Sequence, residues 1–493
     1  MDIEPVVALL TEVEISNELP RQAEFTLDSP IHNRMPVILD AIANVLVSKP
    51  QGEIIAVGLQ QPTAGGIYTF VIGSNGEIPD RTLEHAQDLV ADLQSLGSHF
   101  SEFRRQGVAE DPNIQASSTT GVSEGELERE SSPWMDENRF PTDLQAMVAA
   151  FRTKICLFAL AKIKQRLEKR WGGTTRGQGF VDFAEALPSN SQHRELQIIQ
   201  DIYIIIRWML RLFQMHPQQL PEEEIESLVE GMTHIGAAVD ELLKIKAWTV
   251  EIFRSSPFAS DFPLERFLKK MASISNSTDT LLKYAYSPRL YRRYLNRAEI
   301  RILPLENTPR KLSLPHPHRW VEISYTILAS KGEASLLDDL SEVESPGSML
   351  QKRFEGKKSI TCTVHCECLI ALHLLRGNQL GDQAIPYIGV SKLSCLTCWE
   401  FLKSLRSAGY VFYTRGSHAK AYFPWKYPDV EIEQVGLPSE KKSNIFNSLL
   451  SSLSAVYIER LQIRERNRKL SDSSAEGASG MTHRPVSLDR FRF

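Results

Sequence analysis

Five of the six cysteines in this chain fall between Cys362 and Cys398, with a His and a Glu among them. The segment reads Val364-His365-Cys366-Glu367-Cys368 and, further on, Ser394-Cys395-Leu396-Thr397-Cys398. A shared metal ion would tie these two stretches into one site, so the cluster constrains the fold more than any hydrophobic pattern does. Six cysteines in 493 residues do not make a disulfide scaffold. Gathered beside His and Glu, they read as a metal site in a reducing compartment.

The flanking pattern places both halves of the cluster alike. Ser359 to Val364 alternates as a strand does, and Glu367 to Leu375 has helical apolar spacing, ended by Arg376-Gly377-Asn378. Ile385 to Val390 reads as a second strand, Cys395 to Leu405 as a helix stopped at Ala408-Gly409, and Tyr410 to Thr414 as a third strand. Each ligand pair is thus expected at the start of a helix that follows a strand. Cys395 and Cys398, three apart, share one face of a first helical turn. The free N–H groups there favour thiolates, the form that binds zinc. With His365 they make three ligands and leave a fourth position for water, which Glu367 can reach. A closed structural zinc site built from Cys366, Cys368, Cys395 and Cys398 is the rival reading. Against it, a Cys-x-Cys pair at a strand-to-helix junction points its sulfurs apart.

His365-Cys366-Glu367 with Ser394-Cys395-Leu396-Thr397-Cys398 resembles the zinc signature of the cytidine deaminase-like superfamily. The context Pro386 to Cys395, with Tyr413-Thr414-Arg415-Gly416-Ser417-His418, is similar to fungal proteins predicted to be nucleic acid or nucleotide deaminases. The likeness covers roughly Lys358 to Trp425, and that group also tends to carry a long helical N-terminal half. It implies a three-layer α/β/α domain, zinc held by His365, Cys395 and Cys398, and Glu367 as proton shuttle. Ser394 departs from the pattern, which has Pro there; Ser can cap a helix instead. Cys362, Cys366 and Cys368 are then small core residues.

Ser391, Lys392, Arg415 and His418 are candidate substrate contacts, since each follows a strand that should end near the metal. Trp399 and Trp425 read as packing residues more readily than as base-stacking ones. From Lys352 to Asp429 there are eleven Lys and Arg against five Asp and Glu. This local excess favours an anionic substrate, a nucleotide or single-stranded nucleic acid. The chain as a whole has net charge -5, which argues against a grip on nucleic acid by the entire surface.

The expected class is α/β, with a small α/β segment over 1–100, an acidic linker over 101–140 and a helical domain over 141–297. The zinc deaminase-like domain is expected over 300–435, then a helix over 440–468 and a disordered tail over 469–493. The linker holds nine acids against four bases. Ile198 to Phe213 reads as a buried bundle helix, too charged to span a bilayer. The helical half carries no catalytic constellation and offers surface for a protein partner. Acids at Asp2 and Glu4, without a basic leader, speak against a signal peptide, so the cytoplasm or nucleus is expected and no membrane.

A deaminase fold needs a helix and a hairpin before the His-x-Glu. Ile300 to Leu305, Trp320 to Leu328 and Ser359 to Val364 can supply them. The helix and hairpin over 35–72 fit the pattern better, with the helical half then an insertion; pairing of Ile67 to Ile72 with Ser359 to Val364 would join the two parts.

Overall fold

The computed structural model describes residues 2–14, 21–22, 34–49, 51–61, 67–110, 137–171, 173–187, 193–246, 248–249, 252, 262–297, 299–338 and 345–475. Helix α1 (Ile3–Thr11) is followed by α2 (Met35–Val45) and a hairpin, β1 (Ile55–Gln61) and β2 (Tyr68–Ser74). Then come α3 (Asp80–Glu110), α4 (Thr142–Phe158), α5 (Leu160–Glu168), α6 (Arg176–Glu185), α7 (Arg194–Met215), α8 (Glu222–Lys244) and α9 (Leu264–Tyr286). Strands β3 (Ile300–Pro304) and β4 (Arg310–Ser313), helix α10 (Arg319–Ala329) and strand β5 (Ser359–Cys362) lead to α11 (Cys366–Gln379). The C-terminal part adds β6 (Gly389–Val390), α12 (Leu396–Ser407) and α13 (Ser439–Ala475).

The main sheet runs in the order β6-β1-β2-β3, with Gln383–Ala384 also on β1. β1 is antiparallel to both β2 and β6, and β3 runs parallel to β2. Single parallel bridges, Tyr387 to Tyr413 and Ser394 to Ser417, carry the pairing past β6. Side chains alternate across a strand, so β1 and β2 serve two cores. Ile55, Val57, Leu59, Phe70 and Ile72 join the core of α2 and the helical half. Ala56 and Val71 join the core of α11 and α12. Glycines let helices close on both faces. A Cβ on Gly58 would lie 2.8 Å from Ile370 Cγ2 of α11, and one on Gly389 only 2.2 Å from the Leu39 backbone of α2.

The N-terminal segment expected at 1–100 therefore shares its sheet with the 300–435 region. The join is not the one anticipated: β5 pairs with β4 in a separate two-stranded sheet, not with Ile67 to Ile72. The outer edge of β2 is already taken by β3, so β5 finds its hydrogen bonds elsewhere. Of the expected linker, 101–110 continues α3, and 111–136 lies outside the described residues. Phe140 is buried, its ring packed against Phe100 and Phe103. The C-terminal helix runs past 468 to Ala475, and the rest of the expected tail lies outside the described residues. Helix α7 buries one face and leaves Ile204 63% exposed, so it is a bundle helix with an open side. No helix among the described residues is long and apolar enough to cross a membrane.

The helical half packs straight onto α2. Lys162 Nζ on α5 donates to the main-chain and side-chain oxygens of Asn44 at 3.0 and 2.9 Å, and Asn44 Nδ2 donates to Ser273 O at 3.0 Å.

Candidate metal centre

His365 is the N-cap of α11 and Cys395 the N-cap of α12, both with extended backbone, so two helix N-termini converge on one point. His365 Nδ1 lies 3.5 Å from Cys395 Sγ and 3.4 Å from Cys398 Sγ. These three donor atoms all fall within 4.8 Å of one another, and all three residues are buried. Glu367, in the first turn of α11 and 3% exposed, brings Oε2 to 3.7 Å from Cys398 Sγ. It stands beside the donor set without belonging to it.

The electrostatics suit a cation. Burial pushes the thiols of Cys395 and Cys398 well above the ordinary range; Cys398 raises Cys395 further, while Cys368 raises Cys398 and the bond with Cys395 opposes it. His365 is raised despite burial, which alone would lower it, because Cys395 lies against it. A buried pair of sulfurs beside an imidazole is a borderline-soft donor set, the chemistry zinc prefers, and it has the ligand number of an open site. The residues present fit such an ion.

Local chemistry explains the placement. The Cys398 amide donates to Cys395 Sγ at 3.3 Å, so sulfur caps α12. Ser394 does not cap it: its hydroxyl donates to Thr414 Oγ1 at 3.1 Å, and its amide pairs with Gly416 O. At α11 the cap comes from afar, since Asn75 Oδ1 accepts from the Cys366 amide at 2.9 Å. Asn307, also buried, donates to Ser74 O and Val364 O at 2.8 and 2.7 Å and ties the end of β2 to the residue before His365. Asn75 and Asn307 are the positioning residues the sequence reading missed. Asn75 shows only as part of a Ser74-Asn75-Gly76 turn, and its partner is 291 residues away.

The remaining cysteines divide. Cys366 Sγ turns to Ile54 O at 3.9 Å and Glu367 Oε2 at 3.5 Å, on the sheet side. Cys368 Sγ lies 3.7 Å from Cys398 Sγ. The two sulfurs of the Cys-x-Cys thus point apart, and no four-cysteine group forms among the described residues.

The four expected substrate contacts fare differently. His418 sits within electrostatic reach of His365 and Glu367, its ring edge-on to Tyr422 at 5.2 Å. The Ser391 hydroxyl is taken up by β1, accepting from the Ile55 amide at 3.0 Å. Lys392 Nζ donates to Glu53 O at 3.1 Å. Arg415 leans to Asp40 Oδ2 on α2 at 3.9 Å. Trp425 is fully buried. A cavity of about 590 Å³ lies elsewhere, at the far end of α11 among Gln60, Arg301, His373 and Arg376. None of the convergent donors lines that hollow.

Residues 364–429 match the family model of the OTT_1508-like deaminases, a cytidine deaminase-like family. The matched stretch holds both helix N-termini and every donor of the cluster. No curated protein and no solved structure matches the chain.

Proposed function

We propose that this protein is a zinc-dependent hydrolytic deaminase of a nucleobase, acting on a nucleotide or single-stranded nucleic acid. The convergence of His365, Cys395 and Cys398 within 4.8 Å, with Glu367 against Cys398, carries this reading. His365 Nδ1 and the two sulfurs would hold the ion, which when bound supplies an acidified water at its open position. Glu367 would accept a proton from that water as the water oxygen adds to the ring carbon bearing the amino group. It would return that proton to the ring nitrogen, then carry the second proton, from the hydroxyl newly formed on the carbon, to the departing amine, so that ammonia leaves and a carbonyl remains. Burial of the site keeps bulk water from the reacting carbon.

Ammonia release from cytosine- and adenine-containing nucleosides, nucleotides and oligonucleotides tests this. Glu367→Gln should keep its metal and lose at least about 10²-fold in turnover. A folded, zinc-loaded protein that releases no ammonia from any of them would sink the reading.

A second reading has one observation behind it. Cys368 Sγ, 3.7 Å from Cys398 Sγ, is placed to become a fourth thiol in a closed structural site, within a catalytically silent interaction module. The helical half would then serve a protein partner. Cys368→Ala separates the two: an open site keeps its zinc, and a closed one loses it.

A further inference from the structure

The helical half carries a group of cations that the metal centre does not explain. Arg166 lies in the last turn of α5, Arg176 opens α6, and Arg266 and Lys270 lie in the first two turns of α9. The Arg176 amide donates to Lys169 O at 2.9 Å, and Arg166 Nη1 donates to Lys270 O at 2.5 Å, so three helix ends meet in one place. Lys392, three residues before Cys395 in the chain, is within electrostatic reach of Lys169 and Arg166; its Nζ is held on Glu53 O at 3.1 Å.

Among the described residues none of these cations is in an ion pair; Arg166 and Lys392 donate only to main-chain oxygens. Glu168 is turned to Lys164 at 3.8 Å and Glu265 to Lys269 at 2.6 Å. Glu53 Oε2 accepts from the Ser48 and Lys49 amides, both at 2.6 Å. Arg176 Nε is buried without a hydrogen bond. Lys270 shows the crowding: burial, then Arg266, Arg176, Lys169 and Arg166, push its amine down to about 8. Burial also lowers Lys392, with Lys169 and Arg166 opposing Glu53. Lys420, two residues from His418, is also within electrostatic reach of Arg266.

We propose that the surface formed by Arg166, Lys169, Arg176, Arg266, Lys270 and Lys392 binds the phosphate backbone of a single-stranded polynucleotide, one base of which enters the site of His365, Cys395 and Cys398. The inference rests on the deaminase reading of that site and narrows its substrate. A nucleoside monophosphate carries at most about two negative charges, too few to neutralise six cations set on α5, α6 and α9, just past α5 and in the loop before α12. A polynucleotide supplies one per nucleotide along its length. The buried donors admit a base that is already unstacked, which a single strand offers at least cost.

Binding of fluorescent 12-nucleotide DNA and RNA strands to the full, zinc-loaded chain carrying Glu367→Gln tests this, with anisotropy read across a salt series. If all six cations engage phosphate, the logarithmic salt slope should approach about −4. Lys169→Gln with Arg266→Gln, both on exposed side chains, should weaken binding at least tenfold at low salt and flatten the slope by about 1.4. Lys270→Gln should act in the same direction, and a melting curve confirms that each variant is folded. Unchanged affinity and slope in the double variant would overturn the proposal. So would equal displacement of the strand by a mononucleotide, or binding to anionic phosphatidylserine vesicles without binding to the strands. Strand binding with no ammonia release from the chain with native Glu367 would reject the deaminase reading alone. Ammonia release from nucleosides without strand binding would reject this surface alone.

Discussion

Asp40 shows what a single carboxyl contributes in this sheet. It accepts from the Val390 amide and the Tyr387 hydroxyl, both at 2.8 Å, and so orients the strand that leads to the Cys pair. Burial outweighs these bonds and Arg415, and lifts its pKa from 3.8 to about 6. Between those two values the folded state binds more protons than the unfolded one. The Asp40 contribution to stability is therefore full below pH 3.8, falls as pH rises and is gone above pH 6. The change is on the order of 3 kcal/mol at most. Urea unfolding of native protein and Asp40→Asn at pH 4 and pH 7 should show the native protein losing ground to the variant by an amount of that order. A difference independent of pH would mean that the carboxyl does not titrate in this window. At this scale His365, Glu367, Cys395 and Cys398 were legible in the sequence, because ligand chemistry depends on residue type and short spacing. Asn75, Asn307 and Asp40 were not, because each acts on a partner far away in the chain.

Among the elements, the two helices that carry the donors were readable from apolar spacing and stop signals, to within a few residues. Their caps were not: sulfur caps one and a distant asparagine the other. What lets α2 seat against the sheet is the missing side chain at Gly389, where a Cβ would stand 2.2 Å from the Leu39 backbone. Main chain cannot swing aside as a flexible side chain does. Gly389→Ala should therefore cost about 1–3 kcal/mol in urea unfolding, by forcing α2 off the strand that carries Tyr387 and Val390. A variant as stable as the native chain would show that the approach is looser than it stands here. The sequence marked 385–390 as a buried strand but gave no sign that a helix lay on its backbone.

For the whole molecule, the sheet is assembled from both ends of the chain. β1 and β2 are its centre, β3 and β6 flank them, and helices α3 to α9 lie in the chain between β2 and β3. Residues 300–435 produced alone should consequently show no cooperative unfolding transition, since they lack the two central strands. A cooperative transition in that fragment would show that the C-terminal part has a core of its own. The amino-acid sequence by itself determined the donor set, the acid beside it and the helices that present them, because these rest on spacings of a few residues. Only the tertiary structure decided which strands complete the sheet. It also decided how Asn75 and Asn307 hold α11, and that the cations at the ends of α5, α6 and α9 gather in one place. Pairing of strands and gathering of charge across long separations depend on which surfaces remain open once the rest has packed, and no local pattern encodes that.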